Sequence, residues 1–190
     1  MLLLIKYTLL YGIVLMLVAL GGMFSEHSGI INIALEGIMV IGGVAGVLTL
    51  TMLPSSMSPA LVVLISILVA ALAGVVYSLL LAFASINLKA DQTIGGTALN
   101  LMAPALVLFF IRIIANQNTL QMLTGDAASW FMIKKSTLGI DKNTDLGFFG
   151  ETFVNKVYLA TYVCILLFLI LSILLYKTRF GLRLMACGEH

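Results

Sequence analysis

Five stretches of this chain are long and apolar enough to span the hydrocarbon core of a bilayer, which takes about 20 helical residues. They run approximately over Tyr7–Phe24, Ile33–Leu53, Ala60–Ile86, Thr93–Ile114 and Tyr158–Tyr176. Lipid offers no hydrogen-bond partners to the main chain, so such segments must be helices or a closed barrel. The short alternating strands of a barrel are missing from the sequence. The expected fold class is therefore all-α, a polytopic transmembrane helical protein of about five spans. Composition agrees: 62% of the 190 residues are hydrophobic and 9% are charged, against roughly 45–50% and 25% in a soluble domain. A soluble fold could not cover its surface with so few charges.

Several function classes lose support at once. A net charge of +2 with no long basic run gives nothing to track a phosphate backbone, so no nucleic-acid partner is expected. Cys164 and Cys187 show neither metal nor redox spacing, and His27 and His190 form no metal-binding pair. Ser25 and Ser28 lack a base-and-orienter arrangement, so neither catalytic nor metal residues are assigned. Ala19 and Gly21 imitate a signal cleavage site, but the first apolar block exceeds the usual core of a signal.

The connections are short except one. Ser25–Asn32, Pro54–Pro59 and Asn87–Gln92 are brief, while the loop from about 115 to 157 carries Trp130, Phe131, Phe148 and Phe149. These aromatics suit an interface, and the loop is expected to form a small cap against the membrane. Gly42 with Gly46, and Ala70 with Gly74, repeat a four-residue spacing that lets helices approach closely in lipid. Lys6, Arg112, Lys134, Lys135, Lys142 and Lys156 fall on one side of the membrane, and Lys89, Lys177, Arg179 and Arg183 on the other. That count leans slightly toward a cytoplasmic long loop, although the rule weakens over so long a loop.

Three segments carry polar groups that a plain membrane anchor would lack. In the first, from Ser25 to Gly37, Glu36 is either a first-turn anion on a helix capped by Asn32 or a residue near a solute path or a subunit contact. In the second, from Asn87 to Asn100 with Pro104 beyond, two readings stay open. One is an interrupted helix binding a polar solute, and the other a helix starting late, near Thr97. Asn32, Glu36, Thr97 and Asn100 are the candidate pathway residues. The third is the tail from Lys177 to His190, read as a turn at Gly181 followed by an amphipathic start.

Together these segments resemble the permeases of branched-chain amino acid, ribose and nucleoside ABC importers, most closely the nucleoside (basic membrane protein-associated) branch. The matching residues are Phe24-Ser25-Glu26, Ser28-Gly29, Asn32-Ile33 and Leu35-Glu36-Gly37, then Lys89 through Asn100. In the tail they are Thr178 to Gly181, Arg183, Ala186, Gly188 and Glu189. The resemblance implies a partial transmembrane permease domain over 1–190, with a coupling element beginning over 177–190. Arg179, Gly181, Arg183 and Glu189 would serve energy coupling. It implies cytoplasmic ATP-binding subunits, a second permease subunit, and a solute-binding lipoprotein or periplasmic protein, all at the cell membrane. It also sets the tail inside and the long loop outside, against the lysine count.

No Gly-Lys-Ser/Thr phosphate loop occurs, so no cofactor and no ATP hydrolysis are expected in this chain itself. A sugar or branched-chain amino acid solute is the alternative within the family, and a scaffold or channel the alternative outside it. Family members run well beyond 190 residues, which implies a truncated chain, either a shortened gene product or part of a longer permease.

Overall fold

The computed structural model describes residues 2–54, 57–115, 132–133, 147–153 and 157–189. Its elements in chain order are α1 (Leu2–His27), α2 (Leu35–Met52), α3 (Pro59–Ile86) and α4 (Gln92–Ala115). After these come β1 (Met132–Ile133), α5 (Gly147–Phe153), β2 (Val157–Tyr158), α6 (Leu159–Lys177) and α7 (Arg179–Gly188). Five of the helices, α1 to α4 and α6, have the length and hydropathy to cross a membrane. All five expected spans are thus present, in an all-α framework. β1 and β2 add one antiparallel pair, with Met132 opposite Tyr158 and Ile133 opposite Val157.

Helix limits follow local chemistry. Proline at the first position of α3, after Ser58 in extended conformation, needs no amide partner there. α2 stops where Leu53 turns extended ahead of Pro54, as a residue before proline prefers. Most of the cap expected over 115–157, including Trp130 and Phe131, lies outside the described residues.

The chain divides into two compact units, Met1–Gly21 with Gly125–Leu184, and Gly22–Thr124 with Met185–His190. In the second, α2 packs on α3 through the small residues that the sequence spaced four apart. A methyl group on Gly42 would lie 3.0 Å from the Ala70 carbonyl oxygen, and one on Gly46 3.1 Å from the Ala70 β-carbon. Contact at this range is how helices gain dispersion energy in lipid, where no hydrophobic drive separates helix from tail. The core beneath gathers Ala34, Tyr77, Leu81, Leu99 and Ala103. The Tyr77 hydroxyl donates to the Leu99 carbonyl at 2.6 Å, tying α3 to α4. Outward-pointing Leu72, Val76 and Leu101 are well exposed, as lipid-facing positions should be.

Among the described residues of the first unit, Leu20 and Leu175 are the large apolar side chains most fully enclosed, at 1% and 0% exposure. The Tyr162 hydroxyl on α6 donates to the Phe153 carbonyl of α5. A cavity of about 230 Å³ opens there beside Lys6, Tyr7, Met132, Thr152 and Thr161.

Candidate functional site

Each of the three polar segments is a helix junction, and each is built by side chains serving the main chain. The first closes α1. Gly29 takes φ +82°, a left-handed conformation that favours glycine. The Gly29 amide then donates to the Glu26 carbonyl at 2.9 Å, and the Ile30 amide to the Ser25 carbonyl at 3.1 Å. This pair of bonds is the Schellman arrangement that satisfies the last carbonyls of a helix. The Ser25 hydroxyl adds a bond to the Ile30 carbonyl at 2.8 Å, and the Ser28 hydroxyl one to the Ser25 carbonyl at 2.7 Å.

The second junction leads into α4. Lys89 takes φ 52° as the chain leaves α3. Asp91 then caps the new helix, its carboxylate accepting from the Thr93 amide at 2.8 Å and the Ile94 amide at 3.1 Å. The Ile94 amide, with Thr93 second, holds that carboxyl below the ordinary aspartate range. The helix runs unbroken from Gln92 to Ala115 with Pro104 inside. Both expectations for this segment are therefore corrected: it is neither interrupted nor late to start, because Asp91 supplies the cap upstream of the glycines. Pro104 brings no amide for the Asn100 carbonyl, and the helix continues past it.

Gln92, Gly96 and Asn100 are spaced by four, so they line one face over successive turns of α4. The irregular chain after α1 lies along that face. The Gln92 side-chain oxygen accepts from the Ile31 amide at 2.9 Å. Gly96 has no side chain where Ile33 and Ala34 approach, and a methyl there would lie 3.1 Å from the Ile33 β-carbon. The Asn100 amide nitrogen donates to the Ile33 carbonyl at 2.6 Å, and its oxygen accepts from the Gly37 amide at 2.7 Å. Non-helical backbone among membrane helices is tolerated when protein groups satisfy it, and α4 does so here.

The four candidate pathway residues thus differ in what their side chains do. Asn100 holds the start of α2 by both ends of its amide. Asn32 is not the helix cap that the sequence suggested. α2 begins at Leu35 after Ala34, with no side-chain cap, and Asn32 accepts from the Ala34 amide at 3.1 Å in a local turn. Thr97 is exposed and donates to the Thr93 carbonyl at 2.8 Å. Glu36 lies in the first turn of α2, as expected, with its side chain exposed.

The third junction joins α6 to α7 through Thr178 alone. Its backbone is extended, at φ −102° and ψ 158°. The Thr178 hydroxyl donates to the Leu174 carbonyl at 2.5 Å and receives the Gly181 amide at 3.4 Å. A methyl group on Gly181 would overlap the Leu175 carbonyl oxygen and lie 2.7 Å from that of Leu174. The turn expected at Gly181 therefore sits three residues earlier. Gly181 is instead the point where the first turn of α7 presses on the end of α6. Along α7, Gly181, Leu184, Met185 and Gly188 are the less exposed positions while Arg179 and Arg183 are exposed, giving the amphipathic helix that the tail promised. Glu189 follows it, exposed, its amide bonded to the Met185 carbonyl at 3.2 Å.

Sequence reasoning found the residues at these junctions but missed Gln92, Ser25 and Thr178 as the groups that hold them. The four-residue spacing of Gln92, Gly96 and Asn100 was the signal available. Among the described residues no group of three or more His, Cys, Asp or Glu is placed to hold a metal ion.

Five apolar helices with polar, side-chain-braced junctions define a polytopic membrane protein. Residues 4–190 match the family described as the branched-chain amino acid transport system / permease component, and the chain belongs to that family. It is 37% identical over 183 residues to the guanosine ABC transporter permease protein NupQ of Bacillus subtilis, covering 96% of this chain and 54% of the relative. It is also 37% identical over 185 residues to the nucleoside ABC transporter permease protein NupC of Lactococcus lactis subsp. cremoris, covering 96% and 54%. The chain thus spans about half the length of the curated relatives it matches. No solved structure matches it.

Proposed function

We propose that this chain is part of the permease subunit of an ATP-driven importer at the cell membrane and that its solute is a nucleoside. The observation that carries this reading is the 37% identity to a guanosine permease and to a nucleoside permease, sustained over 96% of the chain in each case. ATP hydrolysis falls to cytoplasmic partner subunits, and solute delivery to an extracellular binding protein. A second permease subunit completes the pathway.

With the tail inside, counting crossings puts three features on the cytoplasmic side: the Ser28–Ala34 segment, the Asn87–Asp91 turn and α7. α7 offers exposed Arg179 and Arg183, which suit a docking surface on an ATPase. The solute-path reading rests on Glu36, since the amides of Asn32 and Asn100 and the Thr97 hydroxyl are engaged with backbone.

The test is uptake into proteoliposomes by the full-length permease, assembled with its ATP-binding subunits and binding protein. ATP-driven guanosine uptake that unlabelled nucleosides inhibit, and that glucose and leucine do not, is the expected result. Competition by glucose or leucine instead would move the solute to a sugar or an amino acid. No ATP-driven uptake of any of them would overturn the importer reading.

A further inference from the structure

The last turn of α7 lies in backbone contact with the cap that ends α1. A methyl group on Gly188 would overlap the His27 carbonyl oxygen and lie 2.8 Å from the Gly29 amide nitrogen. Seen from the other side, a methyl on Gly29 would lie 3.2 Å from the Gly188 α-carbon. Two glycines thus bring main chain against main chain with no side chain between. Side chains absorb small displacements by changing rotamer, whereas close-packed backbone transmits them.

Behind this contact stands a braced segment. Ile31, two residues beyond Gly29, is held to α4 by Gln92 at 2.9 Å. Ile33 and Gly37 are held by Asn100 at 2.6 and 2.7 Å. Gly96 leaves the same stretch in van der Waals contact with α4. No long flexible side chain interrupts the route from Gly188 to Ile31, and short polar ties complete it to α4.

We infer that the Gly29–Gly188 contact is a transmission joint, passing displacement of the last turn of α7 through the Ser28–Ala34 segment to the first turns of α4. The inference rests on the reading of α7 as the ATPase-docking element and deepens it by naming where the motion goes next. The load reaches the face of α4 that carries Gln92, Gly96 and Asn100, and with it the start of α2, where Glu36 sits.

Hydrogen exchange read by mass spectrometry tests this on the full-length permease, alone and assembled with its ATP-binding subunits. Wild type is compared with Gly188→Ala, with Gln92→Met and with Gly12→Ala, a control at a glycine with nothing within 4 Å of the added methyl. In the permease alone, Gly188→Ala speeds exchange over residues 26–37 about ten-fold, and Gly12→Ala leaves it unchanged. In the assembled transporter, trapping with ATP and vanadate changes wild-type exchange over both 26–37 and 92–100. Gly188→Ala loses both changes, while Gln92→Met keeps the change at 26–30 and weakens it at 92–96.

An ATP-dependent change at 92–100 that survives Gly188→Ala in an intact complex overturns the joint. So does unaltered exchange over 26–37 in the Gly188→Ala permease alone. Wild-type uptake is measured in parallel. Its absence strikes at the importer reading, while exchange in the isolated permease still decides whether the joint exists.

Discussion

Asn100, two turns into α4, accepts the Gly37 amide at 2.7 Å and so fixes where α2 begins. Its amide nitrogen holds the Ile33 carbonyl four residues earlier. One side chain therefore satisfies an acceptor just ahead of α2 and a donor in its first turn. Leucine at this position would leave both groups without that partner in apolar surroundings. Asn100→Leu is expected to destabilise the protein by about 1–3 kcal/mol, with Asn100→Asp, which keeps the acceptor, falling between. Thermal unfolding in detergent would check the order, and equal melting temperatures for all three proteins would sink it.

Tyr77 makes a simpler bond, from its hydroxyl to the Leu99 carbonyl. Tyr77→Phe keeps the ring in the core and removes only the hydrogen bond. The expected cost is about 0.6 kcal/mol, the average for such bonds between membrane helices. Unfolding of the variant beside wild type reads it directly, and a cost several times larger would mean that the ring itself had moved.

Gly181 has no room for a side chain because the Leu175 carbonyl occupies the space. Gly181→Ala must push the first turn of α7 off the end of α6, at a cost of about 1–3 kcal/mol by analogy with overpacked cores. Limited proteolysis after Lys177 and Arg179 should accelerate. A cleavage rate equal to that of wild type would show that the junction relaxes without cost.

Asp91 caps α4 through two amides and titrates below the ordinary aspartate range, with the Ile94 amide the first cause and the Thr93 amide the second. A carboxylate whose pKa is lower in the folded state stabilises the helix start at neutral pH, where it is ionised in both states. That contribution fades only as pH drops through and below the ordinary range. Exchange at the Thr93 and Ile94 amides, corrected for intrinsic rate, should stay slow at neutral pH and rise in acid. Asp91→Ala should exchange at neutral pH as fast as wild type does in acid, and corrected wild-type exchange that does not change with pH would contradict the ionic character of the cap.

Glu36 is the one charged side chain among the candidate pathway residues, and it is exposed on the first turn of α2. If it meets solute, Glu36→Gln should raise the KM of uptake several-fold with little change in maximal rate, whereas a purely structural anion would alter stability instead. Uptake kinetics beside melting temperature separate the two outcomes.

The spans were legible because lipid imposes one rule on long apolar blocks, and their observed limits move by a few residues at most ends. α1 is the exception, beginning before Tyr7 because Leu2 to Lys6 continues the helix. The junctions were legible as places but not as structures. Paired glycines at Gly95 and Gly96 read as a break because glycine is a poor helix former in isolation. Here each one faces a neighbour: Gly95 meets Leu81, and Gly96 meets Ile33 and Ala34. Tertiary contact overrode propensity. Asn32 misled for a related reason, since an asparagine just ahead of a helix serves equally as cap or as local turn, and only the position of Leu35 decides between them.

The single-residue link at Thr178 has a consequence for how this part of the molecule can change over time. A helix advances about 100° per residue, so the face that α7 presents is fixed by counting from α6. One residue gained or lost between Leu175 and Gly181 would turn Arg179 and Arg183 away from their present direction and bring a side chain to the spot that only glycine fits. Side chains at Phe180 or Leu182 can drift while this phase is kept. Insertions and deletions cannot be absorbed, and the stretch should hold its length more strictly than its letters.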